Sequence, residues 1–223
     1  MSPLIVSEKT LELNVCAEIL HLIRQRPGCT RAFWIGMKQD QEARNGIDEL
    51  VSAVPAGMHL ALQFKAPRSL PQNATPYRFT INDKQNDNLL RLAIVRQDAV
   101  FYVLPNYNTF TKMRTDSPAL IQDTWLLRTY DLRNLPLSTN RLGTHIIESA
   151  PPMATVHSEP YKTKITNAGS IIDSLFSDGK SLEDLLLNHT VIKDWLRKII
   201  DEAAGNKRAI GQRLRGFSTF CIS

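Results

Sequence analysis

Asp48, Gln63 and Lys65 are the residues whose types and spacing suit a chemical task. Asp48 closes the segment Gly46-Ile47-Asp48, and fourteen residues separate it from Gln63 within Leu60-Ala61-Leu62-Gln63-Phe64-Lys65. An acid on one strand, and an amide two residues before a lysine on the next, can hold a divalent cation and a water against a phosphate. Phosphodiester hydrolysis needs an activated water, stabilisation of transition-state charge, and help for the leaving oxygen. A magnesium ion held by one or two carboxylates can supply all three, with phosphate oxygens and waters completing its octahedron. Asp48 is the natural first ligand. Gln63 offers a neutral but hard carbonyl oxygen. Lys65, on the same strand face, is expected to orient the attacking water or to stabilise the developing negative charge.

A further carboxylate is expected from an opening helix. Ser7 is a good N-cap, and Leu11, Val15, Ile19, Leu22 and Ile23 recur at helical spacing until Pro27-Gly28. Glu12 is the first choice and Glu8 the second, because they stand four apart on one face; Glu18 is the outside candidate. Like charges at that spacing repel by only about 0.2–0.5 kcal/mol, a cost small enough to arise without purpose.

Positioning these groups falls to a run of alternating elements. Ala32 to Met37 is a short apolar run. Ile47 to Val54 and Met58 to Phe64 read as two strands joined by Pro55-Ala56-Gly57. Period-2 alternation sets Leu60, Leu62 and Phe64 on one face and Ala61, Gln63 and Lys65 on the other. Tyr77 to Ile81 reads as a strand and Asp83 to Val95 as a helix. Ala99 to Leu104 is continuously apolar, which predicts a central strand buried on both faces. The pattern is that of an α/β core. It weakens from Asn106 to about Pro136, apart from an apolar stretch around Trp125. Residues 149–169 are rich in Ser, Pro and Thr and read as a connector. Ser170 and Ser181 can each cap a helix, which makes 170–223 a helical C-terminal region for dimerisation or partner contact.

Glu8 and Glu12 on an opening helix, Gly46-Ile47-Asp48, and Gln63-Phe64-Lys65 together resemble the PD-(D/E)XK restriction-endonuclease-like nuclease superfamily. The likeness is to the branch in which glutamine replaces the second acid, as in Mrr-type restriction enzymes, and it spans about residues 7–105. It implies a mixed central sheet flanked by helices, within a nuclease domain over residues 1–148. It also implies that Asp48 is the metal-binding acid, Gln63 the variant ligand and Lys65 the catalytic lysine. The implied cofactor is Mg²⁺ or Mn²⁺ and the implied substrate DNA, in prokaryotic restriction or anti-phage defence. Two departures stand out: Ile47 rather than proline precedes Asp48, and Gln63 lowers the site's negative charge. The second keeps open an alternative, a catalytically impaired nuclease fold acting as a nucleic-acid-binding or assembly subunit.

The whole chain agrees with this class without demanding it. A formal charge of +5 and a pI near 9.2 suit a polyanionic partner. Lys207, Arg208, Arg213 and Arg215 are candidates for phosphate contact, adding salt-dependent affinity. Phe217, Phe220 and Ile222 suggest packing on a second subunit, and cutting both strands of a duplex calls for a homodimer or a larger defence complex. Cys16, Cys29 and Cys221 form neither a disulfide framework nor a C-x-x-C pair. The five histidines lack metal-ligand spacing, and no glycine-rich nucleotide loop is present. No eighteen-residue apolar run exists, and the opening residues lack the layout of a signal peptide, so no membrane contact and a cytoplasmic setting are expected. Plainer roles stand beside the chemical ones. Asp48 can be a turn acid after Gly46, Lys65 an edge-guarding lysine, and Glu8 and Glu12 solvated helix charges.

Overall fold

The computed structural model describes residues 6–27, 29–36, 49–53, 58–68, 76–157 and 161–177, with residues 190, 191, 193, 194 and 197. Helix α1, Glu8–Arg24, begins as its sequence requires: the Ser7 side chain accepts from the Thr10 N–H at 3.1 Å. Its buried stripe is Leu11, Glu12, Val15, Cys16, Ile19 and Ile23, a 3.6-residue periodicity interrupted by one acid.

A six-stranded mixed sheet forms the centre. Its strands are β1 Phe33–Gly36, β2 Glu49–Ala53, β3 Met58–Phe64, β5 Val100–Pro105, β6 Thr124–Arg128 and β10 Thr166–Asn167, in the order β1-β2-β3-β5-β6-β10. All neighbours are antiparallel except β3 and β5. Parallel neighbours need a crossover, and here it consists of strand β4, Tyr77–Asn82, and helix α2, Asp83–Ala93. Asn82 ends the strand and caps the helix, its side chain accepting from the Lys84 and Gln85 N–H groups. Val100 to Pro105 is buried at all six positions, as its unbroken apolar sequence predicts for an interior strand.

A second, antiparallel sheet has the order β4-β7-β8-β9, with β7 Thr144–Ala150, β8 Met153–Val156 and β9 Tyr161–Lys164. The segment expected as a connector therefore carries three strands. Met153-Ala154-Thr155-Val156 alternates exposed and buried positions, and the Thr and Val residues that read as linker composition are also good strand formers. Two further elements lie where the sequence pattern weakens or a different cap was expected. Helix α3 spans Phe110–Asp116. Helix α4, Ala168–Ser177, starts two residues before Ser170, and the Asn167 side chain accepts the Ser170 N–H in place of a Ser170 cap.

The two faces of the central sheet carry different layers. Trp34, in register with Leu60 across β2, donates its indole N–H to the Cys16 carbonyl of α1 at 3.0 Å. That puts α1 over the face of Leu60, Leu62 and Phe64. Helix α4 covers the same face further along, where Ile171 and Leu175 meet Phe101 and Leu126 around a cavity of about 320 Å³. Ala61, Gln63, Tyr102 and Leu104 point the other way, toward α2: the buried Tyr102 hydroxyl donates to Asn86 Oδ1 at 3.3 Å. Among the described residues, no helix is long and apolar enough to cross a membrane.

Candidate functional site at the carboxyl ends of the parallel strands

Gln63 is the penultimate residue of β3 and only 1% exposed. Its side-chain nitrogen donates to the Phe64 carbonyl at 3.1 Å, which fixes the orientation of the amide. In the parallel register it stands beside Tyr102, so Gln63, Tyr102 and Asn86 form a polar seam between the sheet and α2. Lys65 lies just beyond the strand, half-buried, yet its N–H still donates to the Val103 carbonyl at 3.0 Å. The strand geometry thus persists one residue further, and alternation places Lys65 on the face of Gln63.

The next residue joins this strand end to the opening helix. The Ala66 N–H donates to Glu8 Oε2 at 2.8 Å, so the first carboxylate of α1 sits directly beside the backbone that carries Lys65. Glu12, one turn on, is 5% exposed and ion-paired with Lys9. It belongs to the helix covering the Leu60–Leu62–Phe64 face, whereas Gln63 faces the opposite layer. Glu8 belongs to the same helix and the same layer; of the two glutamates it is the one that touches this strand end, through the Ala66 N–H. Glu18 has a different occupation. Its two oxygens accept the Leu120 and Ile121 N–H groups at 3.0 and 2.9 Å, capping the 3₁₀ turn Leu120–Asp123. Both oxygens accept backbone N–H groups, which gives Glu18 a structural role in holding this turn.

Asp48, Lys207, Arg208, Arg213 and Arg215 lie outside the described residues. The antiparallel register pairs Glu49 with Leu62 at the last described rung of the β2–β3 hairpin. Gln63 is the next residue on one side of that rung, and Asp48 is the next in the chain on the other. No group of three His, Cys, Asp or Glu side chains able to hold a metal occurs among the described residues.

Sequence reasoning missed a second set of polar residues at this end of the molecule. Beyond β5, Asn106 N–H donates to the Asp123 carbonyl at 2.9 Å, and Tyr107 is fully buried with its hydroxyl donating to the Leu120 carbonyl at 3.1 Å. Lys112 of α3 pairs with Asp123 and with Asp116 (3.4 Å), its ammonium 4.3 Å from the centre of the Tyr107 ring. Burial opposes the charge on Lys112, but the hydrogen bond and attraction to Asp123, with help from Asp116, hold its pKa above the usual lysine value. Burial also pushes the Tyr107 phenol well up, and the Asp123 charge adds to it. Across from them on β7, Glu148 accepts from Arg78 at 3.0 Å and pairs with His157 at 2.7 Å. Burial works against the Glu148 carboxylate, yet the hydrogen bonds from His157 and Arg78 prevail and lower its pKa. Asn106, Lys112, Asp123 and Glu148 border a cavity of about 660 Å³ between the end of β5 and strands β4 and β7 of the second sheet. The available signal was Asn106-Tyr107-Asn108 directly after a central strand that stops at Pro105, since polar residues there stand where parallel strands present ligand sites. No family model, curated protein or solved structure matches the chain.

Proposed function

We propose that the protein is a divalent-metal-dependent DNA endonuclease with a PD-(D/E)XK-like site, of the restriction or anti-phage type. The observation that carries this reading is the Glu8–Ala66 contact, which ties the opening helix to the strand end bearing Gln63 and Lys65. The order of elements supports it: a helix, three antiparallel strands, a crossover of β4 and α2, and a central strand, in a mixed sheet with helices on both faces.

Asp48 and Gln63 offer carboxylate and amide oxygens, and Glu8, from the layer opposite Gln63, adds a carboxylate only at the strand end; these hard donors fit Mg²⁺ or Mn²⁺ rather than a thiol- or imidazole-seeking metal. A bound ion of this kind supplies an acidified water and neutralises charge on the phosphate. The chain's own groups do the rest. Glu8 anchors the backbone next to Lys65 through one oxygen, and a carboxylate has a second to offer. Gln63, held by its bond to the Phe64 carbonyl, presents a fixed amide. Lys65 carries a positive charge at the strand end, able to orient the attacking water and to stabilise the charge growing on the phosphate oxygens. Two chains acting together would cut both strands of a duplex.

The near-complete burial of Gln63 favours one further reading, a nuclease fold with impaired catalysis that serves as a nucleic-acid-binding or assembly subunit. Incubation with supercoiled plasmid in Mg²⁺ or Mn²⁺, against EDTA, separates the two. The endonuclease reading predicts metal-dependent nicking by the wild type and none by Asp48→Ala. Plasmid binding without nicking in either metal would leave the subunit reading standing and overturn the endonuclease.

A further inference from the structure

The second sheet turns two different faces to its surroundings. Phe79, Ile147, Ser149, Ala154 and Val156 share the inner face and are buried. The outer face is basic along both edges. On edge strand β4, Arg78 is in register with Glu148 of β7, Thr155 of β8 and, at the far edge, Lys162 of β9. Lys164 follows on the same side of β9. Arg68 runs beside β4, its backbone N–H donating to the Arg78 carbonyl at 2.7 Å and its guanidinium to the Thr80 hydroxyl at 2.8 Å. All four cations are exposed.

The charges on this face do not cancel. Arg68, Lys162 and Lys164 have no carboxylate partner among the described residues. The carboxylate that the described strands present here is Glu148, which Arg78 holds at 3.0 Å and His157 at 2.7 Å. Between the basic edges lie Ile146 and Thr155, uncharged and half-buried. Edge lysines also guard a sheet against pairing with other strands, a role that predicts no affinity for any partner.

We infer that this outer face seats duplex DNA by its phosphates, with Arg68 and Arg78 on one backbone and Lys162 and Lys164 on the other. Three strand spacings of about 4.8 Å put the Arg78 and Lys162 positions roughly 14 Å apart. The major groove of B-DNA is about 12 Å wide, so the basic edges meet the two backbones that flank it. Glu148, in the middle and already paired, faces the open groove and not a phosphate. The inference rests on the endonuclease reading for its polymer and deepens it by naming where the duplex sits. Lys65 precedes Arg68 by three residues, at most about 11 Å of chain, so the backbone held at the β4 edge passes close to the strand end assigned to cleavage.

The test is filter binding of the full chain to a duplex of about twenty base pairs, in EDTA so that no cleavage intervenes, with salt varied from about 50 to 200 mM. The Lys162→Ala/Lys164→Ala double variant is expected to bind roughly tenfold more weakly and to flatten the salt slope by about one per lysine, whatever the DNA sequence. Arg68→Ala is expected to flatten it by about one as well. These substitutions remove exposed side chains that pair with no described carboxylate, so the melting temperature is expected to stay at the wild-type value. Arg114→Ala, an exposed cation on α3, is the control and is expected to leave the slope unchanged. Binding and slope unaltered in the lysine variant would overturn the seat, and so would an equal loss in Arg114→Ala or a wild type that binds no duplex. Lysine-dependent binding to phosphatidylserine vesicles in place of DNA would overturn it in favour of a membrane surface. The plasmid assay separates the two readings. Nicking by a wild type whose duplex binding ignores Lys162 and Lys164 defeats the seat alone, while lysine-dependent binding by a chain that never nicks defeats the endonuclease alone.

Discussion

Lys112 and Glu148, at this end of the molecule, are each held by neighbours of opposite charge, and pH exposes how much such an arrangement matters. Glu148 is the clearest case, because its pKa lies below the ordinary carboxylate value of 4.5 on account of His157 and Arg78. A depressed carboxylate pKa adds stability that is complete above the unfolded value and disappears as pH falls through the folded one. The melting-temperature gap between wild type and Glu148→Gln is therefore expected to hold steady near neutrality and to close below about pH 4. A gap that widens in acid would contradict the His157–Glu148–Arg78 arrangement. Gln63 shows how a residue's face can be legible in the sequence while its burial stays hidden. Alternation placed it opposite Phe64, but only the packing of α2 and Tyr102 against that face reveals that it is sealed from water.

At the level of elements, the chain's own grammar was strongest where local signals agreed. Strand β3 runs from Met58 to Phe64 as its alternation and turn residues require, and α1 begins behind the Ser7 cap. The second sheet was not legible, because β4 pairs with β7, more than sixty residues away, and no local pattern encodes a partner at that range. Composition misled at 149–169, where Ser, Pro and Thr suit linkers and edge strands alike. Glu18 was weighed as a metal ligand because sequence cannot say that its carboxylate caps a 3₁₀ turn a hundred residues away. That cap predicts a stability effect without a direct catalytic one. Glu18→Ala strands two N–H groups and is expected to cost about 2–3 kcal/mol in urea unfolding. A loss below 0.5 kcal/mol would mean that the turn finds other partners.

Considered as a whole, the molecule gathers its unusual chemistry at one end. Strands β3 and β5 run parallel toward it, the start of α1 is fastened there by Glu8, and the second sheet closes over it at Glu148 and Ser149. The opposite end of the central sheet and the face under α4 carry structural ion pairs, such as Arg128 with Asp98 and Asp131. The proposed endonuclease assigns the amide, lysine and helical carboxylate at this end to a phosphate-bearing polymer. Single-turnover cleavage of plasmid by Lys65→Ala and Lys65→Arg, with filter binding in EDTA alongside, decides whether this end is catalytic. Loss of cleavage by at least about a hundredfold in Lys65→Ala, partial retention in Lys65→Arg, and unchanged binding in both is the predicted result. Full cleavage by Lys65→Ala would contradict it and remove the strand end from the chemistry.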